Sequence, residues 1–178
     1  MPSRSILPVI LGALALACLA APAGGEALRG SFAARLLELH NDARDDEGLP
    51  ALRWSAELAR AAEPWARQLA SEGRLRHASR AERGEAGENL WMGTAGFFGP
   101  DEMMDRFLEE ERMFRPGTFP DVSTTGRWQD VAHYTQIIWP QTEQVGCALA
   151  SGREMEVLVC RYWPAGNYFG RPVGRQAD

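Results

Sequence analysis

From Phe32 onward, apolar residues recur at helical spacing: Phe32, Leu36, Leu39 and Ala43. That period predicts an amphipathic first helix, with Ser31 as its N-cap. Arg44-Asp45-Asp46-Glu47-Gly48 ends it, and Leu49-Pro50 extends the chain. A second helix starts at Ser55, carries Leu58, Ala62, Trp65 and Leu69 on one face, and stops across Ser71 to Gly73. Pro64 lies in its middle; an interior proline costs ~3 kcal/mol unless a kink accommodates it, so a bend between Arg60 and Pro64 is expected. Arg74 to Gly87 is polar and reads as loop. Gly93 to Pro100 is glycine-rich and aromatic, and reads as a loop with Phe97 and Phe98 partly buried. A third helix is expected from Asp101 to Phe114, stopped by Pro116.

The second half of the chain changes character. Gly117 to Gly126 is a turn-rich connector. The run from His133 to Trp139 is ambiguous by period: Tyr134, Ile137 and Ile138 suit a helical turn, while Val131, His133, Thr135, Ile137 and Trp139 alternate as in a strand. The alternation is the less clean of the two, which favours a short helix. Val145 to Ala150 and Met155 to Tyr162 read as strands joined at Ser151-Gly152, a β-hairpin. Helices early and strands late predict an α+β fold, a three-layer α-β-α sandwich with a largely antiparallel central sheet.

The N-terminus does not follow this patterning. Arg4 precedes a nearly unbroken apolar stretch, Ile6 to Ala20, and Ala21-Pro22-Ala23 offers small residues for cleavage. The stretch is shorter than the ~20 residues of a spanning helix, so 1–23 reads as a signal peptide rather than a membrane anchor. Ala15-Leu16-Ala17 before Cys18 is a poor lipobox, which disfavours a lipoprotein. Residues 24–30 form a flexible lead-in, 31–172 a single domain and 173–178 a tail. After loss of Arg4, 18 basic residues face 24 acidic ones, a net charge of about −6. That balance disfavours nucleic acid and anionic membrane as partners. Every basic residue is arginine, a compositional bias without functional content. Export also removes Cys18 and leaves Cys147 and Cys160, an even pair in an oxidising compartment, hence an expected disulfide.

Histidines and carboxylates carry what chemistry the residues offer. An imidazole binds a metal or shuttles protons through one nitrogen while the other is oriented by a partner. His77, Glu88, Glu110 and His133 are candidates of this kind, but no tight ligand spacing links them. By themselves His77 reads as a surface residue and His133 as a hydrogen-bonded core histidine. In the third helix Met103, Phe107 and Phe114 share a face with Glu110, and Glu111 borders the same stripe. Periodicity does not choose between the two acids.

Motif order adds a family. His40-Asn41-Asp42-Ala43-Arg44, Gly48-Leu49-Pro50, Leu52-Arg53-Trp54, Gly87-Glu88-Asn89-Leu90, the run Ala132 to Trp139 and the block Val159 to Tyr168 follow one another along the chain. In this order they resemble the CAP superfamily of cysteine-rich secretory proteins, venom allergens and plant pathogenesis-related proteins. The resemblance spans about Leu36 to Tyr168 and implies a CAP-like fold with a central cleft lined by two histidines and two glutamates. It puts His133, Glu88 and His77 at three of those positions. Phe107-Leu108-Glu109-Glu110 stands for the family's W-x-x-E and selects Glu110. Ala78 intervenes between His77 and Ser79, Ala132 replaces the glycine before His133, and Arg161 replaces an asparagine. His40 is expected to be structural, bonding loop backbone. Tyr134 and Gln136 are placed at the cleft edge.

Three functions follow as expectations. The first is a secreted, extracellular or periplasmic binding module. The resemblance implies sterol, fatty-acid or protein partners for it, and Zn2+ or another divalent cation on His77 and His133. The second is a zinc-dependent hydrolase with Glu88 or Glu110 as general base. The third is a structural or adhesive domain. No serine, cysteine or threonine nucleophile is evident and no residue is assigned as catalytic, so binding is preferred to enzymatic turnover.

Overall fold

The computed structural model describes residues 32–174. The expected signal peptide, the lead-in and the Ser31 cap lie outside the described residues. The first helix, α1, runs Phe32–Asp46 and buries Leu36, His40 and Arg44 four residues apart on one line. After a two-residue strand, β1 (Arg53–Trp54), helix α2 spans Ala56–Glu72. Ser55 caps it by accepting the Leu58 N–H, and Gly73 closes it in the left-handed conformation at φ 61°. These are the expected start and stop chemistries. The helix is continuous through Pro64, which faces solvent.

Two ordered elements lie in or between the segments expected as loop. Arg80–Arg83 forms a single helical turn, α3, and Gly87–Thr94 is an eight-residue strand, β2. The third helix is shorter than its periodicity implied. Helix α4 covers Pro100–Leu108, and Glu109–Met113 then tightens into a 3-10 helix, so Glu110 and Phe114 leave the α-helical stripe. Phe98 is 38% exposed and packs edge-on against Trp91, the partial burial expected, whereas Phe97 is 80% exposed. Trp128–Val131 makes a second 3-10 turn leading into the short helix α5, Ala132–Ile137, where the signature run favoured a helix.

The hairpin is formed by β4 (Gln144–Ser151) and β5 (Met155–Trp163), paired so that Cys147 faces Cys160. The two sulfurs are bonded. The main sheet has the order β1-β4-β5-β2, antiparallel except for the short parallel pairing of β1 with β4. Gly117–Thr118 (β3) pairs separately with Pro172–Val173 (β6). Val173 is wholly buried there, so the packed structure reaches into the stretch assigned to the tail.

Alternation along β5 separates two cores. Val157 and Val159 point to the α2 side, where Ala62, Trp65, Ala66 and Leu69 meet them. Leu158, Cys160 and Tyr162 point to the opposite side, among Leu36, Met103, Phe107 and Ile137 from α1, α4 and α5. The result is the expected α-β-α sandwich. Gly146 in β4 sets the approach of α2: a Cβ there would lie 2.3 Å from the Ser55 carbonyl oxygen and 2.5 Å from the Ala59 nitrogen. Both obstacles are backbone, so relief requires moving the helix. Gly146→Ala is expected to cost about 2–3 kcal/mol by overpacking, read as a lower midpoint in chemical denaturation with an unchanged slope.

Candidate functional site

Buried polar groups on α1 prepare the site from behind. His40 is fully buried; its Nδ1–H donates to the Leu36 carbonyl at 2.7 Å, and its Nε2 accepts from the Tyr162 hydroxyl at 2.8 Å. The Tyr162 oxygen accepts in turn from Asn89 Nδ2, which also donates to the His133 carbonyl, each at 3.1 Å. His40 is therefore structural, as expected, but it bonds its own helix and a strand tyrosine rather than loop backbone. Burial is the main force pushing its pKa down to about 4, with the Arg44 charge adding to it. Arg44 donates to the carbonyls of Pro50, Ile137, Trp139 and Thr142 at 2.8 to 3.1 Å, holding the end of α5 and the loop after it. Desolvation lowers its pKa to about 10.

The four candidate cleft residues form two histidine–carboxylate pairs. His133, at the start of α5, places Nδ1 2.5 Å from Glu110 Oε1. Glu110 Oε2 accepts the backbone N–H groups of His133 and Tyr134 at 2.8 and 3.0 Å. The glutamate thus caps amides that a helix N-terminus leaves free. Phe107 stacks on the His133 ring at a centroid distance of 4.8 Å. The tight 3-10 winding after Leu108 carries Glu110 to this position.

His77, in the connection after α2, places Nδ1 2.7 Å from Glu88 Oε1, and the Ala78 N–H shares that oxygen at 3.0 Å. The intervening alanine therefore leaves His77 attached to Glu88. On the other side, Glu88 Oε2 stands 3.1 Å from Arg161 Nη2, and both side chains are about 2% exposed or less. This contact is an ion pair without hydrogen-bond geometry. Burial lowers the Arg161 pKa, and the Glu88 charge opposes that shift.

His77, Glu88 and His133 line one cleft of about 280 Å3, together with Arg83, Trp128 and Gln136. Glu110 lies behind His133 and does not reach the wall. Gln136 reaches it with its amide committed: Oε1 accepts the Gly166 N–H at 2.9 Å, and Nε2 donates to the Thr142 hydroxyl at 3.3 Å. Tyr134 is not at the cleft edge. It is 1% exposed, packs edge-on against Phe114 and reaches toward Glu47. Tyr134 and Gln136 are two residues apart on α5, roughly half a helical turn, so their side chains leave in nearly opposite directions and a single cleft does not take both. Arg83 and Asn167 were not singled out for the cleft from sequence. Arg83 sits in a stretch without motif. Asn167, at φ 61°, holds the Ala132 carbonyl through Nδ2 and accepts from the Thr135 hydroxyl. Among the described residues, no group of three or more His, Cys, Asp or Glu side chains is gathered as a metal-binding cluster. None of the described helices is long and apolar enough to cross a membrane.

The model of the cysteine-rich secretory protein family, CAP, matches residues 37–162. The chain belongs to the CAP family. It is 33% identical to pathogenesis-related protein 1A of Nicotiana tabacum over 135 residues, covering 75% of this chain and 76% of that protein. The human Golgi-associated plant pathogenesis-related protein 1 is 30% identical over 144 residues, 80% of this chain and 89% of its own. The fold is shared with the crystal structure of NaASP2 with Zn2+, at a TM-score of 0.71 and 21% identity over 84% of this chain and 88% of that one. In this CAP domain the His40 network makes a pH prediction. Its folded pKa lies below the unfolded value, so the unfolded state binds the extra proton. Stability is complete above about pH 6.5 and falls as pH drops toward 4, by an amount on the order of 3 kcal/mol. Urea midpoints measured between pH 7 and 4 should show this limb, and His40→Gln should flatten it.

Proposed function

We propose that this chain is an exported binding module whose cleft takes a divalent cation on the Nε2 atoms of His77 and His133. One observation carries the reading: both rings turn Nδ1 toward a carboxylate. That arrangement fixes the tautomer and leaves Nε2 as the ligating nitrogen, the usual role of an acid behind a metal-binding histidine. Glu88 and Glu110 act as orienting groups rather than ligands. Two protein nitrogens are half of a tetrahedral zinc set, which suits an exchangeable ion completed by water or ligand rather than a closed structural site. The ion, when bound, supplies Lewis acidity to an oxygen ligand. The fold shared with NaASP2, whose crystal structure carries Zn2+, is in keeping with this reading. Export rests on residues 1–23 and agrees with the secretory character in the family's description.

The hydrolase reading needs a base free to take a proton from water. Glu88 commits one oxygen to His77 and Ala78 and turns the other to Arg161. Glu110 commits one oxygen to His133 Nδ1 and the other to two backbone amides. Neither is free, which favours binding over turnover. A cleft walled by imidazoles, a guanidinium and amides also suits a polar ligand better than a sterol or fatty acid; the exposed Phe97 and Phe98 offer those molecules only a surface loop.

Isothermal calorimetry with zinc at neutral pH tests the cation. Saturable heat is expected for the wild type, weakening in acid because ligating imidazoles must be unprotonated. The heat should be lost in His77→Ala, His133→Ala. Equal heats in both proteins would remove the cation and leave His133 as a core residue.

A further inference from the structure

Arg83, the last residue of α3, lines the cleft beside His77 and His133 and has no part in the arrangement that orients them. Its direction is set by backbone. Nε donates to the Ala78 carbonyl at 3.2 Å, and Nη1 donates to the Ala86 carbonyl. Nη2, with both its N–H groups, makes no hydrogen bond to the described residues.

The guanidinium also has no ion-pair partner among the described residues; Glu85 acts on it only through space. No described carboxylate stands within ion-pairing distance of Arg83, and the acids around it are engaged elsewhere. Glu85 takes Arg80 with both oxygens, Glu82 accepts the Ser79 N–H, and Glu88 is divided between His77 and Arg161. Two further cavities, of about 380 and 170 Å3, meet the cleft at Arg83; Glu85 stands on the wall of both. It is absent from the wall of the cleft. An anion approaching Arg83 is therefore repelled least from the cleft side. The cleft amides, on Asn89, Gln136 and Asn167, are spent on internal bonds.

A guanidinium held in place by two carbonyls, without a direct ion-pair partner and facing a concave wall, is organised in advance for a planar oxyanion. We propose that Arg83 is the anion-recognition residue of this cleft and takes the carboxylate of a small ligand through Nη2. The inference deepens the binding reading and rests on it only in treating the cleft as the ligand site; the carboxylate needs no cation. The cavity volume limits the ligand to a small molecule, and Trp128 and Ala165 on the wall suit an aromatic or short aliphatic body.

The test titrates the full mature chain with 4-fluorobenzoate by 19F NMR in EDTA, with 4-fluorobenzamide as the uncharged control. Saturable benzoate binding is expected, with the amide markedly weaker. Arg83→Gln should lower benzoate affinity roughly tenfold, the loss of one charge-assisted contact, and leave the amide unchanged. Because that variant also releases two carbonyls, Glu85→Gln provides a second arm that keeps Arg83 and its bonds. Removal of the neighbouring negative charge should tighten benzoate by roughly two- to fivefold. Absent saturation, an unchanged affinity in Arg83→Gln, or no gain in Glu85→Gln overturns the assignment. The assay contains no metal, so a failed zinc titration leaves it standing, and a failed benzoate titration leaves the cation reading standing.

Discussion

The buried guanidinium of Arg44 is the constraint on which the cleft depends. It makes hydrogen bonds to four carbonyls, three of them between Ile137 and Thr142, and so anchors the loop after α5 to the first helix. Carbonyls at the end of a short helix have no partners of their own and need such a donor if they are buried. The arrangement works because Arg44 stays charged: burial brings its pKa only to about 10, far above neutrality. With α5 fixed at its C-terminal end by Arg44 and at its N-terminal end by Glu110, the position of His133 is determined from both sides.

The same economy of polar groups governs the cleft. Each carboxylate serves an imidazole and a backbone amide at once, so removing either acid would free a ring and uncap a chain segment. Arg161 has a different part. It brings a full charge into a buried site in which Glu88 is its ion-pair partner. A buried ion pair of this kind bears a large desolvation cost, and loss of one partner leaves the other exposed to that cost alone. Arg161 thereby meets Glu88 on the side away from His77, apart from the outward-facing guanidinium of Arg83.

Local pattern carried much of the fold. The α1 and α2 stripes, the Ser55 cap, the Gly73 stop and the β4–β5 hairpin all have periods or turn residues that one segment displays alone. Strand β2 does not. Gly87 to Trp91 is buried on both faces, between α2 on one side and α5 on the other, so it lacks the alternation that marks a half-exposed strand. The end of the third helix was misread for a related reason: periodicity assumes a constant pitch, and the 3-10 winding of Glu109–Met113 shifts each side chain from its projected place. Phe97 shows the reverse error, since an apolar residue in a loop need not find anything to cover it.

What the sequence by itself determined was the family, the sandwich, the disulfide partners and the choice of His77, Glu88, Glu110 and His133 as residues to examine. Those features rest on motif order, on periodicity within one element and on residue type. Tertiary structure alone decided how the four divide: one pair on each histidine, with Nδ1 taken and both glutamates occupied. It also removed Tyr134 from the cleft and brought in Arg83. Which oxygen faces which nitrogen, and that Arg83 faces the cleft without an ion-pair partner, depends on groups far apart along the chain that meet only when both faces of the sheet are packed.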